Sequence, residues 1–260
     1  MASAPFGWCI GLLHLFRGAV RYPRMETVAV LTADVVRSTR YVPVERQALH
    51  ALLLTSFRAA EESFPGAWAT GFALRVTAGD EFQGVIAAVS VAFQILVFLR
   101  SKLALSVLSS TPELRAGIGV GSVTVSGGSS SWQQDGPAFV RSRRALESLG
   151  DSRRRWRQTA IATGDRQRDD ALAAVFGLCD HLQQRWTRQQ WEAVHHMIGG
   201  AKTEEIGRRL GIARQNVTKR LQAAGWPAFD AAMKYAACSL EEAGSGRPAS
   251  VLEPRVQGRP

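Results

Sequence analysis

Five short apolar, β-branched runs, all ahead of Gly164 and separated by helical stretches or a tight turn, constrain this chain more than any other feature. Thr27–Ala33 reads as a buried strand, because its apolar run is continuous and a polar cluster ends it. Pro43 suits the first turn of a helix reaching about Ser63, along which Leu49, Leu52, Leu53 and Phe57 recur at helical spacing. Phe72–Ala78 and Phe82–Ala87 flank Ala78-Gly79-Asp80-Glu81, a hairpin signal. Val89–Leu103 is apolar nearly all round and predicts a buried helix. A strand over Leu114–Val123, a helix over Pro137–Leu149 and a last strand over Trp156–Thr163 complete the order βαββαβ with αβ appended. One mixed or antiparallel sheet covered by helices satisfies that order, an α/β (α+β) ferredoxin-like arrangement.

Beyond Gly164 no strand pattern remains. The expected division is a non-core extension over residues 1–24 with Met25 starting the folded chain, an α/β domain over 25–165, a connecting helix over 166–186, a small all-α domain over 187–240 and a disordered tail over 241–260. Apolar and charged contents of 46% and 21% are those of a folded chain. The apolar runs break before the roughly 18 residues that a membrane-spanning helix needs, so no membrane association through a span is expected. Cys9, Cys179 and Cys238 form no C-x-x-C pair, which argues against a disulfide framework and fits a reducing cytoplasm. The net charge of +10 is concentrated: residues 141–168 carry nine basic groups against three acidic, and residues 181–240 nine against four. Such patches attract phosphate polyanions or anionic surfaces, and the sign alone does not choose between them.

Two constellations carry chemistry. In the first, Asp34 follows the opening strand and Asp80 sits in the hairpin turn beside Glu81. Neighbouring strands would bring the two carboxylates together, an arrangement suited to Mg²⁺ with substrate phosphates completing its shell. The plainer alternative is that Asp34 caps the next segment and Asp80 fills a turn.

The runs Ala33-Asp34-Val35-Val36-Arg37-Ser38, Gly79-Asp80-Glu81-Phe82-Gln83-Gly84, Leu114-Arg115-Ala116-Gly117-Ile118-Gly119-Val120-Gly121 and Asp135-Gly136-Pro137-Ala138-Phe139 resemble the SatD family, a bacterial group. More distantly they are similar to class III nucleotide cyclases, in which an Asp after the first strand and an Asp in the next hairpin hold two metal ions. That resemblance implies a cyclase-like sheet domain with a nucleotide and Mg²⁺ at Asp34 and Asp80, and a phosphate-binding Arg at Arg143 or Arg144. The sequence departs from the cyclase pattern at Val76, where the base-reading Lys belongs, and at Val140, where an Asn belongs. Neither valine donates a hydrogen bond, so sensing fits better than turnover. The glycines of Gly117-Ile118-Gly119-Val120-Gly121 lack a phosphate-loop pattern and read as positions of close backbone packing or of a bulge.

In the second constellation, Thr187 and Gln190 make a capping box for a helix ended by Gly199-Gly200. Thr203 is expected to cap a short helix to Leu210, Gly211-Ile212-Ala213 to turn, and Arg214–Ala224 to form the next helix. Ile206, Gly207, Leu210, Ile212 and Val217 fall where a helix-turn-helix needs core positions and a small crossing residue. The segment resembles helix-turn-helix units of sigma-factor and response-regulator type. The second helix of such a unit enters the major groove of double-stranded DNA, which would aim Arg214, Gln215, Asn216 and Lys219 at bases and Thr218 and Arg220 at phosphates.

A further cluster, Arg141, Arg143, Arg144, Arg153, Arg154, Arg155 and Arg157, is by default a solvated face, the alternatives being nucleotide phosphate binding or an extension of the DNA contact. His195 and His196 are adjacent on a helix and point to different sides. The reading is a cytoplasmic, transcription-regulator-like DNA-binding protein with a nucleotide-sensing front half, able to act as a homodimer. A metal-dependent nucleotide-processing enzyme and a protein-interaction scaffold are the alternatives.

Overall fold

The computed structural model of the chain describes residues 27–69, 74–125, 134–150 and 156–246. Strand β1 (Thr27–Val35) runs two residues beyond its apolar run, because Asp34 and Val35 are drawn into the ladder with the neighbouring strand. Helix α1 (Pro43–Ser63) begins at the proline, and Glu45 reaches back to accept the Val42 N–H. Strands β2 (Arg75–Ala78) and β3 (Glu81–Ile86) form the expected hairpin, with Gly79 at φ +61° in its turn. The expected start of that first strand, Phe72 and Ala73, lies outside the described residues, as do residues 1–24, Arg153, Arg154, Arg155 and the tail beyond Gly246.

Helix α2 (Ala92–Ala104) leads to β4 (Leu114–Ser122), then to a two-stranded ribbon of β5 (Thr124–Val125) and β6 (Gln134–Asp135) that no pattern predicted. Helix α3 (Pro137–Glu147) and strand β7 (Thr159–Ala162) follow. The rest is helical: α4 (Arg166–Gln183), α5 (Arg188–Ile198), α6 (Thr203–Leu210), α7 (Arg214–Ala223) and α8 (Trp226–Gly244). Asp165 caps helix α4, accepting the N–H groups of Gln167 and Arg168. Helix α8 reaches four residues into the stretch expected as a tail. No helix among the described residues is long and apolar enough to cross a membrane.

The sheet has the order β2-β3-β1-β4-β7, with β1 antiparallel to both neighbours and β7 parallel to β4. Side chains alternate along β1. Ala29, Leu31, Ala33 and Val35 join the main core under α1 and α2, whereas Val28 and Val30 face α3. Helix α3 lies unusually close to β4. A methyl at Gly117 would overlap the Ser142 oxygen and Leu146 nitrogen, and one at Gly119 the Ala138 oxygen and Ser142 nitrogen. The glycine run is therefore a docking strip for the α3 backbone, as the packing reading expects.

The helical half shares the main core. Phe93 of α2 stacks on Phe176 of α4 with centroids 4.3 Å apart, and also meets Phe229 of α8. Beneath them Arg100 pairs with Asp180 at 2.8 Å, the two being 5% and 0% exposed. Asp180 also accepts the N–H groups of Gln158 and Thr159, while Arg100 donates to the carbonyls of Leu114 and Gln158. This satisfied pair ties α2 and α4 to the entrances of β4 and β7.

Candidate functional site

At the end of the sheet where β1 finishes, the hairpin turn lies beside the last residues of the strand. Asp80 Oδ2 accepts the Val35 N–H at 3.1 Å, so the turn that carries Asp80 lies against the end of β1, one residue along from Asp34. Asp34 is not past the strand end, however. It stands opposite Arg115 in the β1–β4 ladder, and the guanidinium grips it with two bonds, Nε to Oδ1 at 3.0 Å and Nη2 to Oδ2 at 2.6 Å. Arg143 of α3 donates to Glu81 at 2.8 Å, completing a group of three carboxylates and two guanidinium groups. Arg144 is exposed on the same helix.

Chemically, this group fits one hard cation at most. Both oxygens of Asp34 and one of Asp80 already accept hydrogen bonds, and Arg115 offsets the charge of Asp34. The two-ion clamp implied by the cyclase resemblance does not fit this arrangement. Among the described residues no cluster of three or more His, Cys, Asp or Glu is placed to hold a metal. Arg115 is the residue that sequence reasoning missed; the signal was its place one residue into β4, opposite the last residues of an antiparallel β1. Behind it runs a buried polar chain in which Gln83 donates to Thr32, whose hydroxyl shares a hydrogen bond with Ser142. On the opposite face, a cavity of about 610 Å³ opens beside Asp80 and Gly79, walled by Leu49, Leu53 and Leu54 of α1 with His50 and Arg46. Val76 is partly buried and Val140 is 44% exposed, so neither extends the charged group.

The helical half forms the expected two-helix unit. Gly211 at φ +65° ends α6, and Gly207 lies where a Cβ would meet the Ile212 oxygen at 2.8 Å, so only glycine lets the turn close over the helix. Ile206, Val217 and Leu221 are buried between the helices, with Ala193 and Val194 of α5 beneath. The capping box at Thr187 forms, with Thr187 and Gln190 each accepting the other's N–H. Thr203 does not cap α6; the cap position is Lys202, and the Thr203 hydroxyl turns to Glu204.

Along α7, Arg214, Gln215, Asn216, Thr218 and Lys219 are exposed on the face away from the core. Arg214 pairs with Glu204 of α6, both well exposed, and this contact pulls the Glu204 carboxyl below its ordinary pKa. An exposed pair of this kind is weak and exchanges readily for another anion. Thr218 donates to the Arg214 carbonyl one turn back. Arg220 is turned inward: at 21% exposure it donates to Glu192 of α5 at 3.0 Å, which fastens α7 to α5 and takes it out of the outward-facing set.

A family model described as the SatD family matches residues 28–237. No curated protein matches the chain. Among solved structures it is similar to the catalytic core of a rhodopsin-guanylyl cyclase with converted specificity in complex with ATPαS, at 18% identity over 48% of this chain and 73% of that one, TM-score 0.39. It is likewise similar to the non-canonical dimeric guanylyl cyclase domain of the RhoGC fusion protein from the aquatic fungus Blastocladiella emersonii, at 20% over 48% and 74%, TM-score 0.39. A bacterial light-regulated adenylyl cyclase is a third, at 15% over 64% and 83%, TM-score 0.38.

Proposed function

This chain belongs to the SatD family, and from that premise we propose that it is a DNA-binding regulator whose front half senses a nucleotide. The observation that carries the reading is the outward row Arg214, Gln215, Asn216 and Lys219 at the start of α7, on a helix whose other side is anchored by Val217 and Leu221. A second helix with this exposure offers its N-terminal side chains to the major groove, where Arg reads guanine and Gln or Asn reads adenine through paired hydrogen bonds. Exposed Lys202, Arg208 and Arg209 flank the row and supply charge for phosphates.

In the front half, the Asp80 carboxylate on the wall of a cavity of about 610 Å³ supports a nucleotide held there with a single Mg²⁺. The enzymatic alternative is disfavoured by Val76 and Val140 and by the guanidinium seated on Asp34. The test begins with genome-wide capture of DNA by the full chain, followed by mobility shifts on an enriched sequence. Replacing Arg214 and Gln215 together by Ala is expected to abolish sequence preference and leave weak, salt-sensitive binding. Undiminished preference in the double variant refutes the assignment.

A further inference from the structure

Between the sheet and the helical half lies a second cavity, about 490 Å³, reached past the loop that enters β4. Its size is that of a small-molecule site. The buried indoles of Trp186 and Trp191 form one wall, and the buried amides of Gln158 and Gln183 another, with Glu113 exposed at the rim.

The charge balance of this lining selects its ligand. Arg100 borders the cavity, but its N–H groups are committed to Asp180, Gln183 and the carbonyls of Leu114 and Gln158, which leaves it nothing for an anion. The other charged side chain of the lining is Glu113, whose carboxylate meets the neutral Gln158 amide at 3.2 Å and has acceptor capacity left over. Aromatic walls favour a flat ring, and an acidic rim favours an amino group on it. We propose that this cavity is a binding site for an amino-bearing heteroaromatic ring of the nucleobase class, distinct from the nucleotide site beside Asp80.

The wall is connected to the helix-turn-helix. Trp186 Nε1 donates to the Ala224 carbonyl, at the C-terminal end of α7, at 2.7 Å, and Trp191 belongs to α5. A ring seated against these indoles therefore bears on the end of the helix that faces DNA. Occupancy of the cavity stands apart from the regulator reading; only its effect on DNA rests on it.

Calorimetric titration of the full chain with four free bases tests the site. Adenine and cytosine, which carry amino groups, are expected to bind at least about tenfold more tightly than hypoxanthine and uracil, which place a keto oxygen at that position; one charge-assisted hydrogen bond accounts for that ratio. Glu113→Gln, an exposed change that leaves the fold alone, is expected to erase the preference, and Ala104→Phe, which fills the cavity from the end of α2, to abolish binding. Failure of all four bases to bind at millimolar concentration overturns the proposal, as does an unchanged preference in Glu113→Gln. Binding of adenine without any DNA complex supports the site and refutes the regulator instead.

Discussion

His195 connects the two halves from a site that disfavours a charged ring. Its Nδ1 lies 2.7 Å from the Ser101 hydroxyl of α2, and because that hydroxyl donates to the Phe98 carbonyl, the neutral ring donates from Nδ1 to the serine. Burial, helped by the positive neighbours His196, Lys102 and Arg209, pushes the His195 pKa from 6.5 down to about 4. A histidine held neutral by the fold contributes stability that is complete above the unfolded value of 6.5 and is lost as pH falls toward 4. At about 1.4 kcal/mol per unit the limit is about 3 kcal/mol; near pH 5 it is about 2, and the partial exposure of the ring trims this to about 1–2. His195→Asn keeps a donor toward Ser101 and cannot be protonated. Urea unfolding at about pH 7 and pH 5 is expected to show a loss of stability about 1–2 kcal/mol smaller in the variant than in the unaltered protein. His196 is also depressed, but it is present in both proteins and cancels in the difference. Equal losses in the two proteins refute the argument.

Gly119→Ala forces a methyl into the α3 backbone and is expected to cost about 3 kcal/mol or more in chemical unfolding, since neither helix nor strand has a flexible atom to move. Arg100→Met strands the Asp180 carboxylate in the core at a cost of about 3–5 kcal/mol, read as a lowered urea midpoint. Arg115→Gln frees Asp34 beside Asp80, so Mn²⁺ titrated by paramagnetic resonance is expected to bind more tightly to the variant than to the unaltered protein. Because Phe93 is shared by both halves, hydrogen exchange in β1 and in α7 is expected to reach a common limiting protection; a helical half that opens independently at much lower free energy contradicts a single core.

What the sequence made legible was local. Gly211, the Thr187–Gln190 box and the spacing of Ile206, Gly207 and Val217 lie within a few residues of one another, so their conformations and contacts follow from helical period and turn chemistry. The glycine run on β4 was readable for a related reason: a strand that gives up side chains at alternate positions leaves room only for another backbone. The meeting of the Asp80 turn with the end of β1 followed from strand order. The grip of Arg115 on Asp34 did not, because it depends on the register of β1 against β4, 81 residues away. Arg100 and Asp180 are 80 residues apart and read in isolation as ordinary helix-surface charges. The Thr203 cap failed by one position because Lys202 already has the extended backbone of a cap, and threonine fits the first helical turn as well.

The geometry limits how the front half can influence α7. That helix packs against α5, α6 and α8, of which α5 lies on α2 while α8 touches β4 and residues 89–91 directly. A ligand beside Asp80 touches none of these helices, so any effect it has on α7 must pass through α1 and α2 or through β4, and thence through the Phe93, Ser101 and Gln94 contacts to α4 and α5 or through α8. A close-packed core transmits such shifts only if it has two stable packings. The Trp186 cavity needs no such relay, because one of its walls is bonded directly to the end of α7. Of the two cavities, the one at the junction is therefore mechanically better placed to act on α7, even though Asp80 borders the other.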